Sequence, residues 1–262
     1  MAVSPRLAAA IVLLRERPQG GIETFMVRRN VRSEFVPDVY VFPGGSVKAG
    51  DREVEAAPDL CLPPTGNHLG ETTLGTGLRA AAIRELFEEA GVFLAGRDGQ
   101  MLAVSGEDVV RFAEYRRRLQ QDETTLTAIA QAEGLALATH RLTYFAHWIT
   151  PAAMPKRFDT FFFIAAMPGE QQAAHDQLET TAGAWIAPKD ALARSQEGDF
   201  PLVFATVHQL RALSVFESIA DAEARLRDQP VPVIQPRAML RDGEIIIRLP
   251  GEPGYDEIEE GG

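Results

Sequence analysis

Cysteine is almost absent from this chain: Cys61 is the only one in 262 residues. An intramolecular disulfide is thereby excluded, and a reducing compartment such as the cytoplasm is the expected setting. Long apolar runs are missing as well. Leu7–Leu14 near the N-terminus falls far short of the roughly 18 residues a membrane-spanning helix needs, so no membrane partner is expected. That run leads directly into Arg15-Glu16-Arg17 with no small-residue cleavage site, and reads as a buried first strand rather than a leader. Basic charge is scarce: 26 Lys and Arg face 37 Asp and Glu, a net charge of −11, which argues against nucleic-acid binding through a broad basic surface. His68, His140, His147, His175 and His208 show no H-x-x-x-H spacing, so zinc is not expected. No Ser or Cys stands in a nucleophile-elbow pattern, which favours direct attack by water over a covalent intermediate.

The elements that are present predict one domain over residues 1–250 followed by an acidic, frayed tail at 251–262. Leu7–Arg15 and Glu23–Arg29 read as strands around the turn Pro18-Gln19-Gly20-Gly21, and Val39–Phe42 as a short strand stopped by Pro43-Gly44-Gly45. Residues 52–77, with three prolines and four glycines, read as a long loop. Leu78–Ala90 is the strongest predicted helix, capped by Gly91. Helices are expected at Glu107–Gln121 and Thr124–Glu133, and strands at Thr143–Ile149, Thr160–Ala166 and Gly183–Ile186. Helices again follow at Lys189–Arg194, Phe204–Ala212 and Val215–Arg227, then a late strand at Glu244–Leu249. Strands mixed with helices in no regular alternation imply α+β, or a layered α/β/α sandwich.

The chemistry concentrates in Arg84-Glu85-Leu86-Phe87-Glu88-Glu89-Ala90-Gly91-Val92. Residues three and four apart share a helix face, so Glu85, Glu88 and Glu89 project to one side while Ile83, Leu86, Phe87 and Ala90 turn toward a core. Carboxylates crowded on one turn repel unless a cation lies among them, and hard divalent cations prefer oxygen ligands. Arg84 can reach Glu88 at i+4. A bare E-x-x-E-E run is more often a solvated acidic face; the preceding Pro-Gly-Gly turn, whose backbone can come close to a ligand, is the first of two features that reverse that reading.

These residues resemble the signature of the Nudix family, G-x5-E-x7-R-E-U-x-E-E-x-G-U, where U is a bulky apolar residue. Arg84, Glu85, Leu86, Glu88, Glu89, Gly91 and Val92 match every specified position of its second half. Gly45 and Asp51 match the first half with Asp in place of Glu, and 32 residues separate Asp51 from Arg84 where the pattern has 7. The resemblance implies an α/β/α sandwich around a mixed sheet, with an insertion at 52–77 and helical additions near 105–133 and 200–228. It implies Mg²⁺ or Mn²⁺ held by Glu85, Glu88, Glu89 and the Gly44 carbonyl, with Arg84 orienting a glutamate. Glu179, six residues before Trp185, would be a further ligand or the general base; it reads equally well as an exposed loop glutamate.

Three stretches, FMVRRNVRSEFVPDVYVFPGG, the insertion after Asp51, and HWITPAAMPKRFDTFFF, are similar to the acyl-CoA diphosphatase branch of that family. This implies a small-molecule diphosphate substrate, CoA or acyl-CoA, cleaved to 3′,5′-ADP and a phosphopantetheine. ADP-ribose, a nucleotide sugar or a dinucleoside polyphosphate, and a non-catalytic binding module on the same scaffold, are the alternatives. Arg28, Arg29, Arg32, Lys156 and Arg157 could meet the substrate's phosphates, or could be surface charges flanking strands. Phe35, Trp148 and Phe158 could stack on adenine or belong to the core. A homodimer is left open, and the 52–77 insertion is expected at the substrate entrance.

Overall fold

The computed structural model describes residues 3–33, 36–62, 73–176, 179–241 and 243–259. The chain begins with β1 (Arg6–Glu16), β2 (Ile22–Arg29), β3 (Tyr40–Val41) and β4 (Gly44–Ser46), then α1 (Thr73–Ala90). Next come β5 (Ala95–Arg97), β6 (Gln100–Met101), α2 (Glu107–Gln120), α3 (Leu126–Glu133) and β7 (Ala136–Leu137). The remainder is β8 (Thr143–Ile149), β9 (Phe158–Ala166), β10 (Thr180–Ile186), α4 (Pro188–Glu197), α5 (Phe204–Leu213), α6 (Ile219–Leu226), β11 (Val233–Ile234), β12 (Arg237–Arg241) and β13 (Glu244–Arg248).

β1 is the centre of a mixed eight-stranded sheet ordered β10-β2-β1-β9-β8-β11, with β3 beside β2 and β4 beside β1. Every residue of Ala8–Leu14 is buried, as a strand covered on both faces requires. Alternate side chains serve opposite layers. Ala9, Ile11 and Leu13 pack in one core with Ile83, Leu86, Phe87 and Ala90 of α1. Val12 and Leu14 pack in the other with Leu210 and Leu213 of α5. The result is the expected α/β/α layering.

One edge of β1 is divided between two partners. β2 pairs antiparallel with Leu14–Glu16, while β4 pairs antiparallel with Ala8–Ala10. A methyl at Gly44 would sit 2.4 Å from Ala10 Cβ, so only glycine allows β4 this close. The predicted Pro-Gly-Gly turn is thus a short strand, because its missing side chains let it enter the sheet.

Three expectations are corrected. The 52–77 segment is not one loop: 3-10 helices occupy Ala49–Glu55 and Pro58–Leu60, and α1 starts at Thr73 rather than Leu78. Val54 and Cys61 are core residues, so this segment is packed where apolar side chains interrupt its polar run; its residues 63–72 lie outside those described. The tail is not frayed through Glu259, since Ile258 is buried and the Tyr255 hydroxyl donates to Gln235 O. The late strand has a partner that the sequence pattern does not announce, β12, in an antiparallel hairpin.

Candidate active site

α1 ends beneath β4. Gly91 closes the helix in the left-handed region at φ 70°, as a C-terminal glycine cap should. From α2, Arg116 and Gln120 donate to the Glu88 carbonyl, so the last turn is held rather than fraying. The apolar face of α1 is in the core, which leaves Glu85, Glu88 and Glu89 aimed at β4, each no more than 8% exposed. A Cβ at Gly45 would lie 2.6 Å from Glu85 Oε1, and the Gly44 amide donates to Glu89 Oε2 at 3.0 Å. The two glycines therefore bring backbone, not side chain, against the carboxylates.

Arg84 organises the cluster. Its Nε and Nη2 grip both oxygens of Asp51 at 2.7 and 3.0 Å, and Nη1 donates to Glu85 and Glu88 at 2.8 and 2.7 Å. Nη2 also donates to the Ser46 carbonyl. The i+4 contact to Glu88 was readable from spacing, whereas the Asp51 contact crosses the inserted segment. Lys48, which sequence reasoning did not single out, stands 3.7 Å from Glu88 Oε1 and 2.7 Å from Asp122; its only signal was its place between Gly45 and Asp51.

Burial dominates the electrostatics. It lifts Glu85 to about 7 against the downward pull of Arg84, and the neighbouring Glu88 adds to the rise. Glu88 is raised for the same first reason, and Glu89 well above the usual carboxylate range by burial and then by the Glu85 charge. Carboxyl groups that prefer protons here will also prefer a cation. Glu88 Oε1 is buried with no hydrogen-bond partner, and the donor set is all oxygen, so the residues fit a hard divalent ion. Among the described residues no three acidic, His or Cys side chains are already arranged around one metal position. Arg84 draws Glu85 and Glu88 to itself while Glu89 bonds Gly44, which accounts for that geometry.

Stability should follow these shifts. A glutamate raised in the fold binds its proton more tightly there than in the unfolded chain. Its contribution is full below about pH 4.5 and lost as pH rises through about 7. Metal-free protein is expected to melt at lower temperature at pH 8 than at pH 5.5. Mg²⁺ should raise the melting temperature more at pH 8, where no proton competes. Equal Mg²⁺ shifts at both pH values in scanning calorimetry would count against a cation site at these carboxylates.

The carboxylates form one wall of a cavity of about 860 Å³. Gly44, Gly45, Lys48, Glu179, Arg29 and Arg32 share that wall, and Trp148, Phe158, Phe162 and Phe204 line its apolar arm. Glu179 is exposed at the start of β10, and its charge is felt by Glu89. Other expected residues are elsewhere. Arg28 pairs with Asp38 at 2.8 Å, off the cavity wall. Arg157 is buried and donates to the carbonyls of Thr150 and Val3, a structural use of the guanidinium that leaves it away from the cavity. Lys156 does not line the cavity, Phe35 lies outside the described residues, and no described residue of 52–77 reaches the wall.

Residues 65–213 match the family model of the NUDT19 Nudix domain, more than half of the chain. The chain belongs to that Nudix family. Among its relatives is the acyl-coenzyme A diphosphatase NUDT19 of Gallus gallus, 28% identical over 90% of this chain and 73% of that protein. The human protein of the same description is 25% identical, over 93% of this chain and 75% of its own length. A Nudix hydrolase from Alicyclobacillus acidocaldarius has a similar structure, with TM-score 0.75 and 26% identity over 87% of this chain and 99% of that one. The protein is thus a Nudix diphosphatase, of a class that generally uses divalent metals. No helix among the described residues of this Nudix enzyme is long and apolar enough to cross a membrane.

Proposed function

We propose that this Nudix enzyme hydrolyses the diphosphate of CoA or acyl-CoA, giving 3′,5′-ADP and phosphopantetheine or its acyl form. The observation that carries the reading is the continuity of one cavity: buried carboxylates, Arg29 and Arg32, and aromatic side chains all line it. CoA has that combination of chemistry, with a 3′-phosphorylated nucleotide, a diphosphate and a long arm of low charge. The names of the relatives from Gallus gallus and human agree with it.

Glu85, Glu88, Glu89 and the Gly44 carbonyl would hold Mg²⁺ or Mn²⁺, which when bound neutralises diphosphate charge and lowers the pKa of water. Arg84 keeps Glu85 and Glu88 oriented and is itself locked by Asp51. Glu179, exposed on the cavity wall, is the group available to take a proton from the attacking water or to add a ligand. Water's oxygen bonds to phosphorus, the bridging P–O bond breaks, and the leaving phosphate keeps the bond's electrons. Arg29 and Arg32 are the guanidinium groups we assign to the 3′-phosphate, a reading supported by their lining the cavity where Arg28 and Arg157 do not.

A substrate panel of CoA, acyl-CoA, dephospho-CoA, ADP-ribose and a dinucleoside polyphosphate, with products read by mass, tests the reading. CoA or its thioester should be cleaved best, and dephospho-CoA should show a KM higher by about tenfold, the value of one lost charge-assisted contact. Arg29→Ala or Arg32→Ala should erase that difference. ADP-ribose as the preferred substrate would overturn the assignment, and equal KM values for CoA and dephospho-CoA would remove the arginine role alone.

A further inference from the structure

No residue of α2 lines the cavity, yet the last turns of α2 close over the end of α1. Arg116 Nε donates to the Glu88 carbonyl at 2.9 Å, and its Nη2 to the Ala174 carbonyl at 3.0 Å. One turn later, Gln120 Nε2 donates to the same Glu88 carbonyl at 2.9 Å and to Asp176 Oδ2 at 3.1 Å. The Ala174 amide donates to the Ala90 carbonyl, so the 174–176 segment also reaches α1 directly. The last carbonyls of a helix have no partner within it, and those of Glu88 and Ala90 find theirs here.

Asp176 passes this contact on toward the cavity. Its Oδ1 accepts from the Thr180 amide at 2.9 Å and the Thr180 hydroxyl at 2.7 Å, and its Oδ2 accepts from the Glu179 amide at 3.1 Å. The Glu179 carbonyl in turn accepts from the Asn30 amide at 3.0 Å, beside Arg29. Both main-chain groups of Glu179 are thus bonded, while the residue is exposed on the cavity wall. The pairing of β10 with β2 shifts register between Thr180 and Ala182, directly after Glu179. Such an irregularity re-aims side chains, so strand pairing alone does not set where Glu179 stands. A continuous path of hydrogen bonds does so instead: Glu88 carbonyl, Gln120 amide, Asp176 carboxylate, Glu179 amide.

We propose that Gln120, acting through Asp176, is the positioning residue that holds Glu179 at a fixed place relative to the carboxylate helix during hydrolysis. This rests on the reading of Glu179 above as proton acceptor or added ligand, and assigns what keeps it there. A primary amide suits the task. Its two hydrogens serve a carbonyl on α1 and a carboxylate on the loop at once, and it adds no charge beside Glu88 and Glu89. Arg116 spans the same gap with a carbonyl at each end, so removing the Gln120 amide should loosen Asp176 without parting the two elements. A general base must stay within hydrogen-bond reach of its water, and a misplacement of about 1 Å can cost on the order of 10²-fold.

The test uses Gln120→Met, which keeps length and loses both donors, and Gln120→Lys, whose ammonium can again donate to both acceptors. Asp176→Asn approaches the same contact from the other side. Kinetics are read on whichever diphosphate of the substrate panel is cleaved best, so the outcome does not depend on CoA being that substrate. Gln120→Met should lower kcat about tenfold and leave KM within about twofold, since Gln120 does not line the cavity. Asp176→Asn should match it, and Gln120→Lys should recover most of the loss. The deciding measurement is a double-mutant cycle. In a Glu179→Gln background, itself slower by about 10²-fold, Gln120→Met should cost less than about a further twofold, because the group it positions is gone. A merely structural role would lower kcat by the same factor in both backgrounds, and that result would overturn the proposal. Wild-type kcat in Gln120→Met, with turnover lost in Glu179→Gln, would remove the positioning role and leave the reading of Glu179 standing. Full turnover by Glu179→Gln would remove both.

Discussion

Glu89→Gln and, separately, Glu88→Gln are expected to lower turnover by roughly 10²-fold or more, about 3 kcal/mol of barrier. The substitution keeps the side chain's shape, and the carbonyl of the new amide can still accept the Gly44 amide bond that Glu89 Oε2 accepts at 3.0 Å. What disappears is a negative charge beside Glu85, in a place where burial already opposes it. Folding should therefore survive, and the metal-free melting temperature should hold or rise as a like-charge contact is removed. Mg²⁺ should then stabilise the variant less than the wild type. Steady-state kinetics with saturating Mg²⁺ and a thermal melt with and without it are sufficient. Full turnover by Glu89→Gln would sink the assignment of the helix carboxylates to catalysis.

The largest stability effect is expected at Arg84. Its side chain is 3% exposed and Asp51's is 1%, and the guanidinium is bonded to three carboxylates and a carbonyl. Arg84→Met keeps bulk but leaves Asp51, Glu85 and Glu88 without their shared cation. Removing one partner of a buried ionic group costs about 3–5 kcal/mol, far more than a surface pair. Urea denaturation of the metal-free variant should show that loss, with Mg²⁺ recovering part of it. Asp51→Asn should cost less, because Glu85 and Glu88 still have Arg84. Combining Arg84→Met with Asp51→Leu should be less harmful than the sum of the separate changes, since the two sites share one interaction. A loss below about 1 kcal/mol for Arg84→Met would mean that the cluster is not ordered by this residue.

The carboxylate helix was legible because its logic is local: three glutamates, an arginine and a glycine within eight residues fix face, charge and cap together. β1 was legible for a similar reason, an unbroken apolar run that only a doubly covered strand can use. Partners set by long-range folding were not. Nothing in the spacing ties Asp51 to Arg84, because the insertion breaks the pattern and the chain must return before the two can meet. Arg157 shows the opposite failure. A basic residue among aromatics reads as a phosphate ligand, yet the same guanidinium serves carbonyl groups equally well, and only the neighbouring Thr150 and Val3 decide. β12 escaped notice because RAMLR is short and bounded by arginines, so its alternation is visible only beside its mate.

The parallel pairing of β1 with β9 has a bearing on how the protein is made. Arg6 aligns with Phe158 and Leu14 with Ala166, so β1 is joined along most of its length by a strand synthesised about 150 residues later. At ordinary translation speeds of about 5–20 residues per second, the interval is roughly eight to thirty seconds. During that time the nascent segment LAAAIVLL has only β2 and β4 to cover parts of one edge. A sequence apolar enough to be the centre of the finished sheet is, for that interval, a sticky open edge. Such an open apolar edge is the kind of surface chaperones cover on a nascent chain before the native sheet can close.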